Sequence, residues 1–392
     1  MAATQTQSTT TAPALYLAFD LGWTEWKLAF STAPAEPARV RTIAARDLAA
    51  LAQEIALARQ RWGLAAAVPL RSCYEAGRDG FWLHRWLTQQ GGVNVVVDAA
   101  SIEINRRARR AKSDRLDAAK LLQQLQRYHG GEPRVWSVVR VPAPADEDRR
   151  QLHRDLLEMK AERTQHSNRI KGLLAGCGLA AAVNDQFATL LPTLRTWDDQ
   201  AVPAELQRRL VREHQRWQFV QQQIKDLENE RARRIRTAAE PANDQVRRLL
   251  GLKGIGRNSA WLFVMEFFAW REIRNRQQLG ALAGLTPTPY QSGAQRREQG
   301  ISKAGNRRLR AMAVEIAWCW LHWQPHSALS QWYQQRFGGG NSRRRRIGVV
   351  ALARKLLVAL WRYLETGEVP AGAELADWRV KLGGRPAQPS AN

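Results

Sequence analysis

Residues 15–31 read LYLAFDLGWTEWKLAFS, two apolar runs interrupted once by polar residues and a glycine. LYLAFDL (15–21) and WKLAFS (26–31) have the length and the aromatic and aliphatic content of strands, and Gly22–Glu25 supplies a tight turn between them. Asp20 stands near the end of the first run. Outward from this pair, a third strand is expected near Val40–Ala44. The stretch from Asp47 to Trp62 has helical periodicity. Ala65–Tyr74 reads as a fourth strand ending at Glu75, and Phe81–Gln90 as a helix closed by Gly91 and Gly92. VNVVVD (93–98) is a buried strand ending at Asp98. Ser113 then opens the helix DRLDAAKLLQQLQRY, which stops at Gly130 and Gly131.

The resulting order, β-β-β-α-β-α-β-α, is that of an RNase H-like (RuvC-like) α/β domain, in which acidic groups meet at one edge of the sheet. Four acids have the matching local setting: Asp20 in AFDLG, Glu75 in YEAG, and Asp114 and Asp117 in AKSDRLDA. The last two are three apart at a helix start, so they share one helix face. Carboxylates on strand ends and a helix N-terminus are what Mg²⁺ needs in order to be held against phosphates, with Mn²⁺ an alternative. The competing reading of Asp114 and Asp117 is helix capping. Asp98 is a fifth acid near the same edge and could replace Glu75 if the strand order differed.

The chain has 392 residues and a formal net charge of +24, from 60 basic against 36 acidic side chains. Arginine supplies 50 of the 60, and its planar fork suits bidentate phosphate contacts, so a polyanionic partner is expected, nucleic acid first. A GC-rich genome would account for arginine over lysine but not for the excess of positive charge. The three cysteines show no CxxC spacing and the seven histidines no metal pattern, which argues against a disulfide framework or a zinc site. No apolar run reaches transmembrane length, so no membrane partner is expected.

The chain divides by composition into a polar tail (1–13), the α/β domain (14–145), a helical coiled-coil arm (146–240), a mainly helical C-terminal domain (241–372) and a Gly/Pro-rich tail expected to be disordered (373–392). The arm comprises two charged helical stretches, 146–179 and 203–238, suited to dimerising or lying along nucleic acid. In the C-terminal domain, Leu252-Lys253-Gly254-Ile255-Gly256 has a helix–hairpin–helix pattern whose turn amides could accept a backbone phosphate. Residues 286–300 read as a turn-rich polar segment containing Ser292-Gly293 beside Arg296 and Arg297. A helix is expected from Ala304–Asn306 with Lys303 at its entrance, and a second after the run Arg343–Arg346.

AFDLG, YEAG, AKSDRLDA, GLKGIG, LAGLTPTPYQSG and ISKAGNRRLR together resemble the DEDD-type insertion-sequence transposases, insertion-sequence family one hundred and ten, and their Piv-type DNA-invertase relatives. The resemblance covers about residues 15–370. It implies a metal-binding quartet at Asp20, Glu75, Asp114 and Asp117, and a nucleophilic serine at Ser292. It further implies a 5′-phosphoserine intermediate, the serine of one subunit completing the carboxylate site of another. A bridge RNA encoded by the element would pair donor and target DNA. A homodimer or homotetramer in the bacterial cytoplasm, associated with the nucleoid, follows from the same reading. Where family members often show two serines, this chain has Gln291 and then Ser292. On the residues alone, Ser292 also reads as an ordinary loop serine before a turn glycine, Ser302 as a helix cap, and Ser259 as packing or capping. Lys253, Gly254, Gly256, Arg296, Arg297, Lys303, Asn306, Arg307 and Arg308 are candidate nucleic-acid contacts. The alternative activity is a metal-only RuvC-like structure-specific nuclease in which water attacks and Ser292 is incidental.

Overall fold

The computed structural model describes residues 13–34, 36–103, 114–292 and 295–383, with backbone alone at 114–116, 289–292 and 295–299. The chain forms two compact units that divide between Val141 and Pro142.

In the first unit, β1 (Leu15–Leu21), β2 (Glu25–Ser31) and β3 (Arg39–Ala44) form an antiparallel meander. α1 (Leu48–Arg61) follows, capped by the Asp47 carboxylate, which accepts from the Ala50 amide. β4 (Leu70–Glu75), α2 (Trp82–Gln89), β5 (Val93–Val97) and α3 (Asp114–His129) complete it. The five-stranded mixed sheet has the order β3-β2-β1-β4-β5, with β4 parallel to both β1 and β5. Strand alternation sorts the core into two layers. Leu15, Leu17, Phe19, Trp26, Leu28 and Phe30 pack with α1 and α2. Tyr16, Ala18, Cys73 and Val97 pack with Ala118, Leu121, Leu122 and Leu125 of α3. The element order is the one expected. β4 begins five residues later than the apolar run suggests, because Ala65–Val68 closes a turn (Val68 amide to Ala65 carbonyl, 3.0 Å) and Pro69 has no amide to give to a ladder.

The second unit is mostly helical: α4 (Pro144–Arg149), α5 (Gln151–Ala175), α6 (Phe187–Leu190), α7 (Ala204–Thr237), α8 (Pro241–Leu250), α9 (Arg257–Phe263), α10 (Arg276–Leu282), α11 (Arg307–Trp323), α12 (Ala328–Tyr333) and α13 (Ser342–Thr366). α7, with 34 residues, is about 50 Å long. It runs antiparallel to α5, as the cross-links show: Lys160 to Glu228, Arg163 to Gln221, and Arg169 to Glu213. Leu156, Val220 and Ile224 form the seam. α8, α9, α11 and α13 enclose the main core around Trp261, Phe263, Trp320 and Leu356. α9 continues as a π-helical turn, Val264–Phe268.

Three segments differ from expectation. Residues 287–301 form a hairpin, β6 (Pro287–Ser292) with β7 (Gln295–Ile301), because backbone pairing needs no apolar alternation. Arg343–Arg346 lie inside the first turns of α13, whose cap is Asn341, accepting from the Arg344 amide at 3.0 Å. Residues 373–383, assigned to the tail by composition, fold back on α8 and the turn after it. The Ala376 amide donates to the Gly251 carbonyl, the Lys253 amide to the Glu374 carbonyl, and Leu382 is buried. Of the expected tails, 1–13 and 373–392, residues 1–12 and 384–392 lie outside the described residues.

Candidate functional site

Asp20 is the penultimate residue of β1 and Glu75 the last of β4. These strands are neighbours and parallel, with Phe19 opposite Tyr74, so both acids stand at the same end of the sheet. By strand parity they also share the face that Ala18 and Cys73 turn to α3. The direction of α3 follows from two contacts. The ring of His129, its last residue, lies tilted against that of Tyr16 with centroids 6.1 Å apart, and the Cys73 thiol donates to the Leu121 carbonyl at 3.8 Å. From Leu121 back to Asp117 the helix advances about 6 Å. From Cys73 to Glu75 the strand advances about 6.6 Å in the same direction. The first turn of α3, with Asp114 and Asp117, therefore stands at the sheet end that carries Asp20 and Glu75. Asp117 is half-exposed and pairs with Lys120 at 3.3 Å. The Asp114 side chain, Lys112 and Ser113 lie outside the described atoms. Among the described residues no set of three or more His, Cys, Asp or Glu closes into a metal-binding group. The donor chemistry, carboxylate oxygens only, fits a hard divalent cation rather than zinc. The Asp98 carboxylate is used locally, accepting from the Ala100 amide at 3.1 Å to cap a single 3₁₀ turn.

Ser292 ends β6 at the tip of the hairpin, opposite Gln295, with Gln291 opposite Arg296 and Tyr290 opposite Arg297. The side chains of Ser292, Arg296 and Arg297 are outside the described atoms. The segments LAGL and SKAGN, far apart in sequence, are two turns packed on each other. Gly284 has φ +67° and a Cβ there would stand 1.9 Å from the Ala304 carbonyl oxygen; Gly305 has φ +84° and would meet the Leu282 oxygen at 2.2 Å. Arg310, the last residue of ISKAGNRRLR, lies between them and donates to the Ala283 and Ala304 carbonyls at 3.3 and 3.4 Å. Lys303 is exposed, with φ +57°. Asn306 caps α11, accepting from the Leu309 amide at 3.0 Å, and Arg307 is exposed.

The turn between α8 and α9 is largely satisfied from within. Gly254 has φ +81°, and a Cβ there would press on Trp323 and on the Cys319 carbonyl. The Lys253 amide donates to Glu374, the Ile255 amide to Leu252, and the Gly256 amide to the Ser259 hydroxyl. The Lys253 ammonium pairs with Glu374. Lys381 fills the turn from behind, donating to the carbonyls of Leu250, Leu252 and Ile255 at 2.7, 2.7 and 2.9 Å. Burial pushes its ammonium down to about 8. The backbone donors that the pattern offers to a phosphate are thus mostly engaged.

A buried ionic network was missed at the sequence level. Glu266, in the π-helical turn and 2% exposed, accepts two hydrogen bonds from Arg154, at 2.7 and 2.8 Å, with Arg308 3.7 Å away. His153 is buried beside it, and neither ring nitrogen has a hydrogen-bond partner. Burial, then the charge of Arg231, pushes its imidazole down to about 4, with Glu266 acting in the opposite sense. Arg231 is itself pushed down to about 10 by burial. The one available signal was an acid inside the apolar run LFVMEFF, since such acids are buried only when paired.

Residues 246–332, which contain the glycine turn, the hairpin and the paired glycines, match the family model described as "Transposase IS116/IS110/IS902 family". The chain is 40% identical over 375 residues to a putative transposase, y4rJ, of Sinorhizobium fredii, an alignment covering 92% of this chain and 94% of that one. The chain belongs to the IS116/IS110/IS902 transposase family. It is also 27% identical over 221 residues to the transposase for insertion sequence element IS1328 of Yersinia enterocolitica, covering 56% of this chain and 63% of that one. A probable family 20 transposase of Pseudomonas aeruginosa is 30% identical over 217 residues, 54% of this chain and 62% of its own length. As an insertion-sequence transposase, the chain has DNA as its substrate. Among the described residues no helix is long and apolar enough to cross a membrane.

Proposed function

We propose that this transposase cuts and rejoins DNA through a serine-linked intermediate, with the first unit an RNase H-like (RuvC-like) domain holding Mg²⁺ or Mn²⁺ at Asp20, Glu75, Asp114 and Asp117. The observation that carries the reading is the arrival of two strand ends and the first turn of α3 at one end of the sheet. The strand order β3-β2-β1-β4-β5 supports the fold assignment. A bound divalent cation would supply Lewis-acid polarisation of the scissile phosphate. The Ser292 hydroxyl attacks phosphorus. Its Oγ–P bond forms as the bond to the departing 3′-oxygen breaks, the serine loses its proton, and the 3′-oxygen gains one. Attack of a 3′-hydroxyl on the phosphoserine reverses this and rejoins a strand. Arg296, Arg297, Lys303, Arg307 and Arg308 are the cations this reading assigns to nucleic-acid phosphate, each a point of positioning rather than of sequence readout. The turn residues Lys253, Gly254 and Gly256 are kept as contacts with a smaller share, given their internal bonds. An element-encoded bridge RNA selecting donor and target DNA, a homodimer or homotetramer, and a nucleoid location complete the proposal.

The test is strand cleavage of junction DNA by full-length protein. The proposal expects cleavage in Mg²⁺ or Mn²⁺, none in EDTA, and none from Asp20→Ala. Cleavage that persists in EDTA, or in Asp20→Ala, overturns the metal reading.

A further inference from the structure

Trp23 lies in the turn between β1 and β2, three residues beyond Asp20, and is 64% exposed. Two guanidinium groups sit against its ring, Arg46 at 4.7 Å and Arg78 at 4.8 Å from the centroid. Arg46 reaches it from the loop after β3, where it adopts φ +69°, a conformation costing a non-glycine residue about 1 kcal/mol or more. Its Nη1 donates to the Trp23 carbonyl at 3.2 Å. Arg78 follows Glu75 by three residues, and its Nη2 donates to the Leu21 carbonyl at 3.4 Å. Asp79, with a side chain 8% exposed, pairs with Arg46 at 3.3 Å and Arg78 at 2.8 Å. Three loops at the acid-bearing end of the sheet are thus tied into one cluster. It has one carboxylate for two half-exposed guanidinium groups, and at its centre an indole left in water.

An indole used for packing loses most of its surface to neighbours. Here the neighbours are organised around the ring and leave it open. Three residues of chain span at most about 10 Å, which a strand rising about 3.4 Å per nucleotide covers in about three nucleotides. We propose that Trp23, Arg46 and Arg78 form a platform for an unpaired nucleotide of the DNA strand entering the carboxylate site. The indole contacts the base and the two guanidinium groups meet the adjoining phosphates. The location draws on the reading of Asp20 and Glu75 as the reaction centre, but binding itself requires no metal.

The experiment uses full-length protein in EDTA with a fluorescein-labelled single-stranded DNA and an RNA of the same sequence, read by anisotropy. A 5-iodouracil version of the DNA is used for photocrosslinking mapped by mass spectrometry. Trp23→Ala should weaken DNA about 5- to 100-fold, and Trp23→Phe should retain most affinity. Arg78→Ala should lower the salt slope by about one, and the crosslink should fall on Trp23. Unchanged DNA affinity in Trp23→Ala, crosslinks elsewhere only, or a loss confined to RNA would overturn the proposal. So would a loss matched by equal falls in melting temperature for Trp23→Ala and Trp23→Phe, which would make the cluster a fold staple. Because no metal is present, a failure of Mg²⁺-dependent cleavage leaves this result independent.

Discussion

Asp20 and Glu75 in the first unit and Glu266 in the second are carboxylates in opposite circumstances. Glu266 is enclosed in the core side of a π-helical turn and takes a two-pronged arginine bond from a helix more than a hundred residues away in sequence. Glu75 ends a strand in solvent, and Asp20 is half-exposed one strand over. A buried acid locked by a guanidinium is committed to the fold, since leaving either charge unpaired there is costly. Acids gathered at the open end of a sheet contribute little to the core. Composition cannot separate the two kinds; burial can.

The largest effect that would break this contrast is on chemistry. Glu75→Gln should lower metal-dependent strand cleavage about 1,000-fold or more, as expected for loss of a metal-holding group, while melting stays within about 2 °C of the parent. A large fall in melting temperature would instead make Glu75 a structural acid. Glu266→Gln should do the reverse by removing the partner of Arg154. It should cost about 3–5 kcal/mol in denaturant unfolding, and an unchanged unfolding midpoint would show that the network is not structural. Gly284→Ala tests the packed turns beneath the hairpin. With φ +67° and the Ala304 oxygen in the way, it should cost about 3 kcal/mol, and full stability would mean that the two turns separate easily. The smallest effect is on pH. His153 is held at about 4, below the ordinary 6.5, so the unfolded chain binds its proton first. Its contribution is present above pH 6.5 and is lost as pH falls toward 4, about 3 kcal/mol over the full fall but only about 1 kcal/mol by pH 5.5. His153→Phe should flatten that part of the stability profile, and an unchanged slope would contradict the burial assigned to it.

What could be read in advance follows from how each segment stores its information. β1 to α3 were legible because their side chains alternate or repeat locally, as in LYLAFDL and VNVVVD. Asp20 and Glu75 end such runs, so their convergence was legible too. The β6–β7 hairpin was not, because PTPYQS and QRREQGI carry no apolar alternation and are paired by backbone alone. Arg154 and Glu266 each look ordinary in their own helix, and only tertiary packing joins them. Lys381 was hidden by a Gly/Pro-rich composition that suggests disorder, whereas its ammonium binds three carbonyls of a turn some 130 residues earlier. The glycines of LAGL and SKAGN were noticed as motif letters, and their shared packing gives the physical reason for both.

The central claim is that the carboxylate end and the hairpin serine act in one reaction. It is tested most directly with a suicide DNA substrate carrying the element's junction, incubated with Mg²⁺ and RNA transcribed from the element's flank. Covalent protein–DNA adduct is then sought on a denaturing gel for wild type, Ser292→Ala and Asp20→Ala. The account predicts an adduct in the wild type that disappears in both variants. Clean nicking without an adduct, unaffected by Ser292→Ala, would contradict it and leave a metal-only nuclease with a bystander serine.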